Sequence, residues 1–321
     1  MSIAVRPLRE HDLGEADRIF RVAFGAFIGM RDPTTFAGDS DWITSRWRTD
    51  PSAAFAADVD GQLAGSVFAT NWGSVGFFGP LTVRPDLWNR GVGRRLLEPV
   101  MECFTRWGTR HAGLYTFAES PKHVALYQRF GFYPRFLTAI MMKAPPGAAV
   151  DAATPGANAD LRATRFSEVA ADDQGHYLAA VRELTDEVFA GLDVSVDIRA
   201  VAVQRLGDTL LVWDGSELVG VAVCHAGAGT EAGSGACYVK FAAARPGADA
   251  RARFERVLDA VERYAGARST SVALGINLGR EDAYRRALAR GYATATQGVA
   301  MHRPNAHGFD HPDAYVVADW R

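Results

Sequence analysis

Apolar positions along the chain switch repeatedly between two periods. Leu13, Ala16, Ile19, Phe20 and Ala23 recur at helical spacing behind Asp12, which with Glu15 makes a capping-box pattern, and together they predict an amphipathic helix. From Ala54 to Thr70 the apolar residues flank Asp60-Gly61, a dipeptide suited to a two-residue hairpin turn. Gly79 to Val83 is a short β-rich run that stops before Pro85. Helical spacing returns with Leu96, Leu97, Val100, Met101, Phe104 and Trp107, although Pro99 inside that helix costs a backbone hydrogen bond or kinks it. A strand around Leu114 leads to Ser120-Pro121, an N-cap followed by proline at the first helical position. Val124, Leu126, Tyr127 and Phe130 then form a short helix ended by Gly131, and Tyr133 to Lys143 reads as a last strand.

The same order recurs further on. Val5-Arg6-Pro7-Leu8-Arg9 has a counterpart in Leu161-Arg162-Ala163-Thr164-Arg165, and Asp60-Gly61 in Asp214-Gly215. Gly65 matches Gly220, Pro85 matches Pro246, and Gly131-Phe132 matches Gly291-Tyr292, at offsets of about 160. An internal duplication is the simplest reading. Residues 144–159, rich in Pro, Gly and Ala without apolar periodicity, read as a linker or an ordered strap between a first unit over 1–143 and a second over 160–321.

Composition narrows the class. At 321 residues and 48% apolar, the chain has material for two packed cores. A net charge of −2 leaves no electrostatic footprint for nucleic acid or an anionic membrane. No apolar run approaches the roughly 18 residues of a membrane span, and the first residues lack a signal-peptide pattern, so a cytoplasmic protein is expected. Cys103, Cys224 and Cys237 show no metal-ligand spacing; they are expected as buried reduced thiols, and no metal site is expected.

The chemistry concentrates in Val83 to Leu97. A strand, a loop with Gly91 and Gly93, and an immediate helix leave free amides at a helix N-terminus, a ready anion site. Arg90, Arg94 and Arg95 add positive charge where the helix dipole alone would disfavour it, which points to an anionic ligand such as a phosphate. No Lys-[Ser/Thr] follows Gly93, against a P-loop, and position 96 is leucine, against a dinucleotide fingerprint. Val83, Pro85, Arg90, Gly91, Gly93 and Leu96 fit V-x-P-x-x-x-x-R-G-x-G-x-x-L, and Leu126, Tyr127, Gly131 and Phe132 fit L-Y-x-x-x-G-F about 30 residues later. Both resemble the GNAT superfamily of acetyl-CoA-dependent N-acetyltransferases.

The resemblance implies a tandem of two α/β (α+β) domains, each a mixed, mostly antiparallel sheet flanked by helices. It implies that acetyl-CoA is held by Leu81, Thr82, Val83, Arg90, Gly91, Val92, Gly93, Arg94 and Arg95, with Ser120 standing where the family often has asparagine. By the same resemblance Tyr127 protonates the departing thiolate; a core tyrosine covering the sheet is the alternative. For the amine's proton, Glu119 is the best carboxylate in sequence terms, against a solvated loop residue, with His123 or ordered water as other routes. Phe24, Phe27, Phe36, Trp42 and Trp47, interleaved with glycines, suggest a lid over the acceptor or two helices closing the core, and Asp32, Asp39 and Asp41 either attract a cationic amine or are solvated.

In the second half the loop glycines are replaced by Ala252 and Phe254, so its cofactor site is expected to be degenerate unless Arg251, Arg253 and Tyr284 rebuild it. That half would then buttress the first, shape the acceptor site or form a homodimer. The expected activity is acetyl transfer to a primary amine of a small molecule or peptide. A non-catalytic acyl-CoA-binding regulatory protein is the second reading, and a transferase using an aminoacyl-tRNA donor the third, which the near-neutral charge and intact loop disfavour.

Overall fold

The computed structural model describes residues 2–145 and 161–321, so the expected linker falls outside the described residues except for its first two. The first half runs β1 (Ile3–Pro7), α1 (Leu13–Phe27), α2 (Ile43–Thr49), β2 (Ala54–Val59), β3 (Gln62–Trp72), β4 (Val75–Val83), α3 (Val92–Trp107), β5 (His111–Thr116), α4 (Pro121–Gln128) and β6 (Tyr133–Lys143). The second repeats it as β7 (Leu161–Arg165), α5 (Gln174–Val188), α6 (Ser195–Gln204), β8 (Gly207–Asp214), β9 (Glu217–Gly227), β10 (Gly233–Ala244), α7 (Ala250–Gly266), β11 (Ser271–Asn277), α8 (Glu281–Ala289) and β12 (Ala293–Arg303), with a short β13 (Val316–Val317) beyond.

Local signals set most of these elements. Asp60 and Gly61 both take positive φ (49° and 83°) and turn β2 into β3, while Gly215 (φ 57°) turns β8 into β9. Helix α3 passes continuously through Pro99, leaving the Arg95 carbonyl without its usual amide partner. The expected capping box at Asp12 is not formed around α1. Asp12 has helical dihedrals, and its carboxylate accepts from the Arg9 amide (2.9 Å) and the Arg6 guanidinium (2.6 and 3.0 Å), while Glu15 pairs with Arg18.

All the strands belong to one mixed sheet, in the order β1-β2-β3-β4-β5-β12-β6-β11-β10-β9-β8-β7. Among the described residues only β4–β5 and β10–β11 run parallel. The last strands of the two halves are exchanged. β12 lies between β5 (Val299 opposite Thr116) and β6 (Val299 opposite Leu137), and β6 continues the second half's sheet by pairing with β11. Helices cover both faces. The α1–α2 pair packs on β2 and β3 around Phe20 and Phe68; α3 and α4 pack on the other face around Leu96, Phe104 and Phe132; α7 and α8 do the same for the second half around Phe254 and Leu274. A fourth cluster joins Trp72 and Phe77 of the first half to Leu184, Ile198 and Phe241 of the second. The three cysteines are buried and unpaired, as expected. Among the described residues no helix is long and apolar enough to cross a membrane.

Two buried histidines set a pH dependence. His111 on β5 and His225 on β9 are 3% and 2% exposed, and burial, reinforced at His111 by nearby His302, pushes each pKa down to about 4. The unfolded chain takes up protons near the ordinary histidine value of about 6.5, so it binds more protons than the fold between about pH 6.5 and 4. Stability is therefore full above about pH 6.5 and falls as the pH drops towards 4, by at most about 3 kcal/mol per histidine. Urea midpoints at pH 7.5 and 5 should show this fall, and His225→Gln should flatten it; equal slopes in both proteins would refute the assignment.

Candidate active site

The site begins where two parallel strands part. β4 pairs with β5 only through Val75, Gly76 and Phe77, opposite His111, Ala112 and Gly113. Beyond that, Leu81, Thr82 and Val83 pair on one side only, with Val67, Ser66 and Gly65 of β3, after an irregularity that takes in Gly79 and Pro80. The Arg84 amide donates to the Ala64 carbonyl (2.8 Å), so strand alternation turns the Leu81 and Val83 amides to the side that β5 has left. Val83's carbonyl on that side accepts from the Trp88 indole (2.8 Å). The two amides stand ready to pair with an extended ligand.

At the end of β4 the chain turns into α3. Gly91 supplies the left-handed cap residue (φ 86°), a conformation glycine adopts without strain. The first intrahelical bond runs from the Arg95 amide to the Gly91 carbonyl (3.2 Å), leaving the Val92, Gly93 and Arg94 amides free at the helix N-terminus. Split strand and helix terminus open into one cleft of about 500 Å³. Its far wall is α4, through Lys122, Leu126 and Arg129, and its mouth is aromatic, formed by Phe24 and Phe27 of α1 with Phe117 and His123.

The cleft contains Leu81, Thr82, Val83, Gly91, Val92, Gly93 and Arg94 from the residues expected to hold a cofactor. Arg90 is exposed outside the cleft wall, and Arg95 turns along the helix to Glu98 (2.6 Å). Ser120 is buried at the N-cap position of α4 and makes no side-chain cap bond. Tyr127 lies in the apolar cluster beneath the cleft, its ring 5.6 Å from Phe78. Its hydroxyl is beside Thr116, and burial pushes its pKa up to about 12. Glu119 is exposed on the turn before α4 and does not line the cleft. His123 does, with its ring 5.0 Å from Phe27; burial, with the Lys122 charge, lowers its pKa to about 4, so it is neutral at pH 7.

Sequence reasoning passed over Lys122, Arg129 and Trp88. The Lys122 ammonium sits 4.4 Å from the Trp88 ring centre and 5.5 Å from that of Phe27, adding charge to the cleft wall. The available signal was the i, i+4, i+7 spacing of Lys122, Leu126 and Arg129, a face of α4 distinct from Tyr127's. The loop aspartates have local partners. Asp32 accepts from Thr34, Asp41 from the Ile43 and Thr44 amides at the start of α2, and Asp39 from Ser234 of the second half. Phe36, Trp42 and Trp47 pack in the α1–α2 cluster, so the aromatic stretch divides between the cleft mouth and the core.

The second half has the same split, filled. β10 pairs with β11 only from Ala236 to Val239, and beyond it β13 inserts, with Val317 opposite Ala242 and Val316 opposite Ala243. The Ala318 amide reaches the Gly275 carbonyl on β11 (3.1 Å), so this segment bridges both strands. By the offset that matches Pro85 to Pro246, Ala242 and Ala243 correspond to Leu81 and Thr82. Phe254 is fully buried with its ring 5.5 Å from Tyr315. Arg251 pairs with Asp282 (3.1 Å), Arg253 donates to the Pro246 carbonyl (3.0 Å), and Tyr284 packs against the apolar cluster.

Comparison with known proteins agrees with this geometry. Residues 17–132 match the acetyltransferase (GNAT) family model. No curated protein sequence matches the chain. Among solved structures, a candidate acetyltransferase of Pyrococcus horikoshii is similar over 99% of this chain and 95% of its own, with a TM-score of 0.68 at 14% identity. A GCN5-related N-acetyltransferase of Sphaerobacter thermophilus is similar over 94% and 95% (TM-score 0.59, 17% identity). A tandem GNAT protein from the clavulanic acid biosynthesis pathway is similar over 94% and 98% (TM-score 0.57, 13% identity). Residues 17–132 thus match the acetyltransferase (GNAT) family model, within a chain whose fold is similar to that of a tandem GNAT protein.

Proposed function

We propose that the protein is a cytoplasmic N-acetyltransferase that moves the acetyl group of acetyl-CoA to a primary amine of a small molecule or peptide, with its cofactor site in residues 1–143. The observation that carries this reading is the open β4–β5 split running into the free N-terminus of α3. Acetyl-CoA would supply an activated thioester on an amide-bearing arm. The Leu81 and Val83 amides would pair with that arm, and one of them would hold the thioester oxygen as it gains negative charge. The Val92, Gly93 and Arg94 amides, with Lys122 and Arg129, suit the phosphates. The amine nitrogen attacks the carbonyl carbon, the C–S bond breaks, and the thiolate takes a proton from Tyr127, which its high pKa keeps protonated at pH 7. The amine's own proton leaves by water, or by Glu119 from the exposed turn before α4. Neutral His123 orients the acceptor and, with a pKa near 4, is a weak base. The second half binds no cofactor, because β13 occupies the equivalent split.

One observation favours the alternative, a regulatory acyl-CoA-binding protein: Tyr127 lies beneath the cleft and is not in its wall. Thiol release from acetyl-CoA in the presence of polyamines, amino acids, dipeptides and aminoglycosides separates the two readings. Tyr127→Phe should lower kcat about 100-fold with acetyl-CoA affinity within twofold. Binding at one site per chain with no amine accepted would select the regulatory reading, and two bound acetyl-CoA per chain would refute the closed second cleft.

A further inference from the structure

The irregularity that separates β4 from β5 is held from outside the strand. Arg46 of α2 is buried, and its guanidinium reaches three other segments at once. Nη1 donates to the Gly79 carbonyl (2.5 Å), Nη2 to the Arg321 carbonyl (2.5 Å), and Nε and Nη2 to the two oxygens of Glu231 (2.9 and 3.0 Å). Glu231 belongs to the connection between β9 and β10, so this contact crosses between the halves. It is fully buried and also accepts from Lys240 (2.8 Å), whose ammonium lies 3.3 Å from Asp197; Asp197 in turn accepts from the Trp72 indole (2.5 Å).

Burying such charges costs several kcal/mol each, and an apolar replacement of equal volume often serves stability as well. Stability alone therefore gives no reason for an arginine here. The planar guanidinium is the side chain whose fixed fork can satisfy a carboxylate and two carbonyls together. A lysine could serve them only as a point charge.

We propose that Arg46 and Glu231 are positioning residues: the second half, through Glu231, fixes the Arg46 fork, and the fork fixes Gly79 so that the Leu81 and Val83 amides face the pantetheine arm. This inference rests on the acetyl-CoA reading above. It gives the second half a task in the reaction that requires no ligand of its own. The fork acts on β4 and does not touch the α3 N-terminus, so it should affect one end of the cofactor and spare the other.

The test uses two probes on the full chain by calorimetry: acetyl-CoA, and adenosine 3′,5′-bisphosphate, which keeps the nucleotide end and lacks the arm. Arg46→Lys is expected to weaken acetyl-CoA at least tenfold and leave the bisphosphate within twofold. Arg290→Lys, which loosens a half-buried ion-pair cluster with Glu255, Asp259 and Glu262 in the second half, should lower the melting temperature and move neither affinity. If Arg46→Lys does not fold, Glu231→Gln carries the test with the same split expected. Acetyl-CoA affinity within twofold of wild type, or equal weakening of both probes, would overturn the proposal. A wild-type protein that binds neither probe would refute the acetyl-CoA reading itself and the clamp with it.

Discussion

Gly93→Glu is expected to raise the Kd for acetyl-CoA at least 100-fold, about 2.7 kcal/mol, while the melting temperature holds or rises. The two effects have opposite signs for one physical reason. The nearest neighbours of a Cβ at Gly93 are methyl groups of Leu126 and Leu81 at 3.5 Å and of Val83 at 3.8 Å, ordinary contacts that leave the backbone in place. The added carboxylate lies in the first turn of α3, where the helix dipole favours a negative charge by about 0.3–1 kcal/mol. There it competes for the free amides and repels the phosphate that needs them. Calorimetry alongside thermal melting reads both effects. Retained binding in a folded Gly93→Glu protein would put the anion somewhere other than the α3 terminus.

Gly113→Val is expected to destabilise the fold by about 3–5 kcal/mol, the usual cost of expelling a large aromatic side chain from a core. A Cβ built at Gly113 falls 2.1–2.7 Å from three ring carbons of Trp320, which is 4% exposed. The indole lies among His111, His302 and Phe309, so it must leave that pocket or β5 must shift. Because β5 borders the split, its displacement would also disturb the cleft. Gly14→Ala is the companion measurement, since nothing lies within 4 Å of a Cβ there and the change favours α1 by up to about 1 kcal/mol. A loss below about 1 kcal/mol for Gly113→Val in denaturant titrations would mean that the Trp320 segment does not pack behind β5.

What the sequence discloses follows from the range of the interactions involved. The turn at Gly91, the hairpin at Asp60-Gly61 and the helix ended before Gly131 depend on neighbours a few residues away, and each is found where the residues place it. From the two motifs, Val83, Gly91, Gly93 and Leu126 line one cleft. Facing was harder to read: α4 carries both Tyr127 and Lys122, and helical spacing separates their faces without saying which one borders the cleft. Partnership across the chain was not legible at all. β6 and β12 have similar apolar patterns, and either could lie beside β5, since strand hydrogen bonds carry no address. Nothing local reveals that Arg46 and Glu231, 185 residues apart, share a buried site, because isolated charged residues read as surface. The aspartates of the α1–α2 segment, open in sequence between a ligand and solvent, have protein partners: a turn for Asp32, the start of α2 for Asp41 and Ser234 of the second half for Asp39.

The exchanged strands also have a consequence for biosynthesis. Thr116 emerges from the ribosome about 180 residues before Val299, the residue that will lie opposite it. At roughly 5–20 residues per second, β5 waits on the order of ten to forty seconds for its neighbour. During that interval its edge amides and carbonyls are open to any passing strand, so a chain stalled or truncated after the first half should depend on chaperones and aggregate without them. Separating the halves would therefore require β6 and β12 each to leave its present neighbour and pair within its own half.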